Sequence, residues 1–528
     1  MKNRILKLAF ALLITISAGA QKPTLFLGAK AHLGNGTVIE NSAISIQNGK
    51  FQLIADASVI RIDPSAFDTI YRLNGMHMYP SFIVPNTTLG ITEIDAVRAS
   101  NDYSETGGFN PNIRTLIAYN TDSKVAKTVR TNGVLIAQVT PRGGRISGQS
   151  SVMHLDGWNW EDAALRIDDG IHLNWPASYY NTGWWAEPGE SKQNKEYQNR
   201  VTEIETFLTK ASAYAKSSKL MDLKMESMRN LFDGGKTLYI HADNANDMRD
   251  AIELSNKLHL KKIVIVGAEE ALKITDLLLE NNISLILNRV HRLPKSQDSP
   301  VDEPFTQVKK LHDAGVHFCL SYEGDMEAMG ARNLSFTAGT TVAFGMDYEQ
   351  AVKSITLNAA EILGVADEVG SIENGKNATF FISDGDALDM RTNDVTKAYI
   401  NGMEIDLGVD LIDTDDFGLS AALNWSTNEN EVTDLYGTES INLSPGASVS
   451  SRAIVGYPLG TLYGTGSKTN ADGSFDLNSN GFPQITSSPI VLGDPNPDWR
   501  GGISLNIGRY ILSSFCKYIL IIKINTTF

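Results

Sequence analysis

One histidine and three acidic residues directly follow apolar runs of this chain, and these residue types carry hydrolytic chemistry. His241 and Asp243 follow the run KTLYI, and Glu323 and Asp325 follow the run VHFCLSY. A neutral imidazole can bind a transition metal or act as a general base, and two carboxyl groups can bind a metal or form an acid/base pair. The alternatives are a histidine hydrogen-bonded inside a protein rim, and carboxylates that cap a helix or stay solvated.

A second candidate is the loop of residues 142–151, RGGRISGQSS, which follows the apolar run VLIAQV. Its glycines would let the backbone approach a ligand closely, and its N–H groups could hold an anion. We therefore name Gly144, Ser147 and Gln149 as candidate substrate-binding residues. The alternative for the whole segment is a tight structural turn.

His291 and Arg292 follow a further apolar run, ISLILN, and are predicted to reach the same face as the glycine-rich loop. They complete the candidate substrate-binding set. A cluster of tryptophans between residues 158 and 185 could form a lid over that face or pack down its own insertion.

The elements that must position these residues change along the chain. Six apolar runs alternate with amphipathic helical stretches between residues 79 and 366, which indicates parallel strands covered by helices on both faces. A (β/α)8 barrel is the expected result, with active groups at the carboxyl ends of its strands. Short alternating segments with Gly turns at 21–78 and 367–407 predict a β-sandwich built from both sides of the barrel.

Composition and charge narrow the function classes. The chain has 528 residues, 42% of them hydrophobic and 20% charged, as in an ordinary globular protein. Its 61 acidic and 46 basic residues give a formal charge of −15, which argues against a nucleic-acid partner. The two cysteines, Cys319 and Cys516, have neither metal nor redox spacing.

The two ends of the chain differ from its middle. Residues 1–20 have a basic start, an apolar run and a small-residue cleavage site, which predicts a signal peptide and export to the periplasm. Residues 408–528 are rich in Ser, Asn, Gly and Thr, without helical periodicity, and predict a β-rich segment that is poorly ordered. Two lysines in its last apolar stretch argue against a stable membrane span.

The order of these pieces resembles the amidohydrolase superfamily, and in particular its imidazolonepropionase-like branch, over about residues 23–407. Three segments carry the resemblance: NGMHMYPSFIVPNTTLG at the first barrel strand, GGRISGQSSVMHLDGW after the second, and the long return ITLNAAEILGVADEVGSIENGKNATFFISDGDALD. The resemblance implies a TIM-like barrel with a composite β-sandwich. It also implies a hydrolase acting on carbon–nitrogen bonds other than peptide bonds, with a small cyclic amide as substrate.

The departures from the family pattern fall on its metal site. Asn86 and Thr88 stand where the family has two histidines on its first strand. His241 matches the histidine of strand five, Gly267 or a neighbour falls at that of strand six, and Glu323 or Asp325 matches the final aspartate. The resemblance thus implies one divalent metal (Zn), with His241 as ligand, in a degenerate site, because amide and hydroxyl oxygens replace imidazole poorly.

Residues 417–510 resemble instead a fragment of a SusC/RagA-type TonB-dependent outer-membrane receptor, through LGDPNPDW and the glycines after it. Three functions therefore stay open from the sequence. The first is an exported amidohydrolase that uses Glu323 or Asp325 as catalytic groups. The second is a catalytically inactive ligand-binding barrel, and the third is a role at the outer membrane that rests on the tail.

Overall fold

The computed structural model describes residues 22–184, 187–217, 221–294, 298–324, 326–402, 408–414, 417–427, 432–435, 438–444, 449–470, 472–493, 499–511 and 514–522. The predicted signal peptide and Asp325 lie outside these residues. The chain divides into two compact units, Met1–Glu404 and Ile405–Phe528.

The described strands of the first unit form four sheets: two that make the sandwich, one long eight-stranded sheet, and a two-stranded hairpin of Tyr179–Trp184 and Glu187–Gln193. They are β1 (Thr24–Leu27), β2 (Lys30–His32), β3 (Val38–Ile39), β4 (Ser42–Gln47), β5 (Lys50–Asp56), β6 (Thr69–Arg72), β7 (His77–Pro80), β8 (Phe82–Thr87), β9 (Val134–Val139), β10 (Ile146–His154), β11 (Ala164–Asn174), β12 (Tyr179–Trp184), β13 (Glu187–Gln193), β14 (Thr237–Ala242), β15 (Ile263–Gly267), β16 (Ser284–Leu287), β17 (Phe318–Leu320), β18 (Phe380–Ser383) and β19 (Val395–Tyr399).

The α-helices lie between the later strands. They are α1 (Lys124–Arg130), α2 (Trp160–Ala163), α3 (Tyr197–Ser217), α4 (Leu223–Met228), α5 (Ala245–Lys257), α6 (Thr275–Glu280), α7 (Glu303–Asp313), α8 (Glu327–Gly330), α9 (Leu334–Ala343), α10 (Tyr348–Ser354) and α11 (Leu357–Leu363).

The sandwich is composed from both ends of the first unit, as predicted. One sheet has the order β5-β4-β1-β6, and the other has the order β19-β18-β7-β2-β3, so that late strands β18 and β19 join early strands. Phe26, Phe51, Met78 and Phe380 are buried in one cluster of apolar side chains from both sheets. Burial of each such side chain contributes roughly 1.5–3 kcal/mol to folding, which holds the two ends of the unit together.

The middle of the unit is an eight-stranded sheet with the order β8-β9-β10-β11-β14-β15-β16-β17. Its two edges approach each other: the Ser321 hydroxyl, just after β17, donates to the carbonyl of Pro85 in β8 over 2.9 Å. All six residues of β8 and of β9 are buried, as expected for strands covered on both faces. The predicted barrel-and-sandwich α/β fold is confirmed.

The sheet departs from an all-parallel barrel at one place. Strand β10 pairs antiparallel with both β9 and β11, whereas β11, β14, β15, β16 and β17 pair in parallel. Only residues 155–163 separate β10 from β11. A parallel crossover needs about a dozen residues or more, so this short connection leaves the hairpin as the available geometry.

The second unit consists of antiparallel strands, which confirms the predicted β-rich C-terminal segment. They are β20 (Gly408–Thr414), β21 (Phe417–Thr427), β22 (Ser440–Ser444), β23 (Val449–Ile454), β24 (Thr461–Gly464), β25 (Ile490–Gly493), β26 (Trp499–Ile511) and β27 (Ser514–Ile522). Two four-stranded sheets result, β20-β21-β26-β27 and β22-β23-β24-β25. In the described part of the whole chain, no helix has both the length and the apolar character to cross a membrane.

Candidate active site at the barrel mouth

Three barrel strands bring chemically active side chains to the same end of the sheet. Asn86 lies one residue before the end of strand β8, His241 lies one residue before the end of β14, and Glu323 follows β17. Because parallel strands of a barrel end on one face, the carboxyl ends of these strands form a common mouth.

Arg142, the first residue of the glycine-rich loop, crosses this mouth and holds Asn86. Its Nη1 donates to Asn86 Oδ1 over 2.9 Å, and its Nη2 donates to the Asn86 carbonyl over 2.9 Å. The same Nη2 forms an ion pair of 2.9 Å with Glu327 Oε1 at the start of α8. These bonds keep Asn86 in a left-handed conformation, with φ of 53°, that a non-glycine residue adopts at a cost.

Asn86 in turn binds the carboxyl group predicted to be catalytic. Its Nδ2 donates to Glu323 Oε2 over 2.6 Å. Burial raises the pKa of Glu323 to about 7, with further upward contributions from Glu327 and Asp243, against the opposing effect of Arg142. At neutral pH a fraction of Glu323 is therefore protonated and able to donate a proton.

His241 is joined to a second histidine that lies deeper in the barrel. His241 Nε2 and His172 Nδ1, from neighbouring strands β14 and β11, are 2.9 Å apart. Burial, together with the positive charge of Arg142, lowers the pKa of His241 to about 3. Burial lowers the pKa of His172 well below its usual range as well. Both rings are therefore neutral at physiological pH.

The described side chains do not fit a divalent transition metal. The oxygen of Asn86 already accepts from Arg142, and the Arg142 charge would repel a cation beside it. At Gly267, a Cβ atom would lie 2.3 Å from Asp243 Oδ1, which leaves no room for the histidine of strand six. Within the described ranges, no three His, Cys, Asp or Glu side chains are arranged to hold a metal ion.

In the glycine-rich segment named as a candidate ligand site, residues 143–145 form a bend, and Ser147 and Gln149 already lie in strand β10. The Nδ2 of Asn174 donates to the Gly144 carbonyl and to Ser147 Oγ, in both cases over 2.9 Å. Ser147 itself donates to the Gly143 carbonyl over 2.7 Å. Gln149 is buried, and its amide oxygen accepts from Lys236. The predicted loop is therefore only a short bend before β10, because the rest of the segment pairs as a strand. Ligand binding by Gly144, Ser147 and Gln149 stays a prediction.

His291 and Arg292 lie after β16 and make contacts of their own. His291 Nε2 is 2.7 Å from the Thr340 hydroxyl on α9. Arg292 donates to the Gln307 side chain over 3.2 Å and lies 3.6 Å from a Glu269 oxygen. Among the described contacts, neither residue bonds to Arg142, Asn86 or Glu323. Their role in substrate binding therefore also stays a prediction.

Several residues of the mouth were not identified from sequence. The sequence pattern marks Arg142 only as the start of a loop. His172 and Asp169 lie in β11, and the pattern of its segment DDGIHLN does not indicate a strand. Ile171 and Leu173 are the only large apolar residues of this segment, and His172 separates them. A histidine inside a short apolar run, followed by the next strand histidine at His241, was the available signal.

The comparisons with known proteins agree with this architecture. The amidohydrolase family model matches residues 199–410. The matched region contains β14 to β19 and therefore both His241 and Glu323. This amidohydrolase match, with the relatives below, supports the superfamily predicted from the sequence.

Two of the relatives found by sequence similarity are imidazolonepropionases. The imidazolonepropionase of Flavobacterium psychrophilum is 23% identical over 236 residues, which are 42% of this chain and 54% of that protein. The imidazolonepropionase of Fusobacterium nucleatum is 28% identical over 157 residues, 29% of this chain and 36% of that protein. The matched region thus spans about half the length of these relatives, or less.

A crystal structure of an amidohydrolase from Thermotoga maritima is similar in fold. It superimposes with a TM-score of 0.61 at 23% identity, over 72% of this chain and 99% of that chain. This similarity is one of fold, and it agrees with the amidohydrolase match in sequence.

Proposed function

We propose that the barrel hydrolyses a carbon–nitrogen bond in a small cyclic amide. In this proposal the metal site of the barrel is degenerate. The amidohydrolase match and the similarity to two imidazolonepropionases support the reaction class and an imidazolone-like ring as substrate. The misfit between the described side chains and a transition metal supports chemistry by the protein's own groups.

In this proposal His241 acts as general base and Glu323 as general acid. His241 takes a proton from water as the water oxygen bonds to the ring carbonyl carbon. Protonated Glu323 gives its proton to the ring nitrogen as the carbon–nitrogen bond breaks, so that one water is consumed and one acid and one amine are formed. Exchange with solvent then removes the proton from His241 and returns one to Glu323. Arg142 supplies positive charge to the developing oxyanion.

One observation carries the proposal: the same guanidinium acts on the pKa of both partners. Arg142 lowers the pKa of His241 and opposes the rise in the pKa of Glu323, so the guanidinium lies within electrostatic reach of both groups. A neutral base and a protonated acid in one mouth at the same pH form the pair that acid/base catalysis needs.

The decisive experiment is an assay of the purified full chain on imidazolones, hydantoins and lactams, with its metal content measured in parallel. We expect ring opening that survives chelator treatment and falls on the order of 10²–10⁴-fold in His241→Gln and Glu323→Gln. His312→Gln on α7 and Glu253→Gln on α5 are matched controls outside the mouth and should keep full activity. Activity that depends on stoichiometric bound metal would contradict the proposal.

A second candidate function is a catalytically inactive ligand-binding barrel. It is favoured by the way Arg142 and Asn86 satisfy each other's polar groups, which holds the centre of the mouth in one arrangement. Thermal unfolding of the full chain with the same cyclic amides separates the two. Stabilisation by an amide that is never turned over favours the binding barrel.

Export to the periplasm remains part of the proposal and rests on the pattern of residues 1–20. An outer-membrane role for the tail rests only on its resemblance to a receptor fragment. Cell fractionation tests both, because a periplasmic protein leaves the cell on osmotic shock and an outer-membrane one sediments with the envelope.

A further inference from the structure

A chain of hydrogen bonds runs through the barrel interior and ends at His241. Ser150 Oγ donates to Asp169 Oδ1 over 2.8 Å, and the Nε2 atom of His172 lies 2.9 Å from the same hydroxyl. The other ring nitrogen of His172 makes the 2.9 Å bond to His241 Nε2. Asp169, Ser150 and His172 are each at most 1% exposed, so water cannot replace any of these partners.

Burial raises the pKa of Asp169, and three donors that surround its carboxyl group oppose this rise by favouring the ionised form. The amide of Gln138 has a fixed orientation, because its oxygen accepts from the Asn86 N–H and its Nε2 therefore faces Asp169 Oδ2 at 2.8 Å. The hydroxyl of Tyr239 donates to the same Oδ2 over 2.8 Å. With both donors on Oδ2, the Ser150 hydroxyl is free to donate to Oδ1.

Donor and acceptor roles then follow link by link. Since the Ser150 proton points to Asp169, its oxygen accepts, and His172 Nε2 must carry the proton that it donates. His172 Nδ1 is then an acceptor, so the proton between the two histidines belongs to His241 Nε2. The remaining ring nitrogen, His241 Nδ1, keeps its lone pair.

We propose that Asp169, acting through Ser150 and His172, is a positioning residue that fixes His241 in the Nε2–H tautomer and so presents Nδ1 as a base. The use of that base in hydrolysis rests on the proposed function. The tautomer itself does not, and it can be measured on a protein with no detected activity.

An Asp169→Asn substitution should reverse the chain. Gln138 and Tyr239 both donate toward Oδ2, so the asparagine must keep its oxygen there and turn its NH2 group toward Ser150. Ser150 then donates to His172 Nε2, His172 donates from Nδ1 to His241 Nε2, and His241 carries its proton on Nδ1. A neutral residue of the same shape therefore moves one proton across the ring of a residue it does not touch.

The test is ¹⁵N NMR of the full chain labelled in its nine histidines, with the His241 signal assigned by its loss in His241→Gln. We expect the Nε2–H tautomer in the unchanged protein and the Nδ1–H tautomer in Asp169→Asn. Tyr239→Phe is the control, since it removes one donor and leaves the direction of the chain intact. Nδ1–H in the unchanged protein, or no difference in Asp169→Asn, overturns the proposal.

Ser150→Ala keeps the test decisive if Asp169→Asn does not fold. Without the hydroxyl, His172 Nε2 loses the acceptor that fixes the position of the ring proton, and His241 should populate both tautomers. A single unchanged Nε2–H tautomer in Ser150→Ala would overturn the proposal. Where turnover is measurable, Asp169→Asn should lower kcat on the order of 10²–10⁴-fold with little change in KM. The NMR result stands whether or not the hydrolase proposal does.

Discussion

Arg142 holds Asn86 at two points, with one guanidinium nitrogen 2.9 Å from the side-chain oxygen and another 2.9 Å from the backbone carbonyl. The planar fork of arginine suits such a paired contact, whereas the ammonium group of a lysine lacks this fixed geometry. Asn86 is fully buried, and it passes this constraint on to Glu323 through its own N–H donor. The geometry of the whole mouth therefore depends on one side chain from the loop after β9.

Loss of Arg142 should destabilise the protein measurably. Arg142→Gln leaves the buried Glu327 carboxylate without its cation, and breaking such a pair should lower the free energy of unfolding by about 2–4 kcal/mol in urea titrations. Arg114→Gln is the matched control, because the Arg114–Asp168 pair has an arginine side chain 38% exposed and should be worth under about 1 kcal/mol. Equal losses in the two variants would contradict a special role for Arg142.

Asn86→Asp should raise the pKa of Glu323 above its value of about 7. The substitution replaces an N–H donor with a second carboxylate at the 2.6 Å contact, and like charges disfavour ionisation. Titration of the ¹³C-labelled Glu323 carboxyl by NMR measures the change. Asn281→Asp, just after α6 on the outside of the barrel, should leave the titration unchanged. A lower pKa in Asn86→Asp would contradict the 2.6 Å contact.

Glu323→Gln should stabilise the protein at alkaline pH. Because the folded-state pKa of Glu323 is raised to about 7 from 4.5, the native state binds more protons than the unfolded state between these values. Stability is therefore lost as the pH rises through that window, on the order of 1–3 kcal/mol. Unfolding at pH 5 and pH 8 should show a gain for Glu323→Gln at pH 8 only. Glu373→Gln should show no such difference, since the pKa of Glu373 is lowered and its window lies below pH 4.5.

Gly267→Ala should be more damaging than a glycine substitution with open space around it. Gly267 has φ of 98°, and an added Cβ would lie 2.3 Å from Asp243 Oδ1. Gly315 has φ of 81° with nothing within 4 Å, so Gly315→Ala measures the backbone strain alone, about 1–2 kcal/mol. The additional loss of unfolding free energy in Gly267→Ala, measured by thermal or urea unfolding, gives the energetic cost of the clash with Asp243. Equal losses would mean that Asp243 moves aside.

The fold could be predicted from the sequence to a large extent because its signals are local. Apolar runs such as VLIAQV and IVIVG, separated by amphipathic helices, indicate buried parallel strands by periodicity alone. The antiparallel β10–β11 hairpin was missed because the connection length, rather than the strand pattern, decides it. Its residues are apolar and polar in no clear period.

The candidate site was less predictable, since its bonds join distant parts of the chain. Asn86 and Glu323 are 237 residues apart, and the local sequence around either residue does not predict a contact with the other. His241 is identifiable from the sequence because it lies near the end of an apolar strand, whereas the function of Arg142 depends on where a long side chain points. The donor directions along Asp169, Ser150 and His172 follow only from distances.

The five-stranded sheet has a consequence for the synthesis of this protein. Strand β7 pairs with β2 on one side and with β18 on the other, and β18 is translated some 300 residues later. A nascent chain therefore carries an unsatisfied ladder of backbone groups along β7 until the ribosome has passed β18, and open ladders recruit other chains. A premature stop codon anywhere before β18 should yield aggregating product rather than a smaller working barrel.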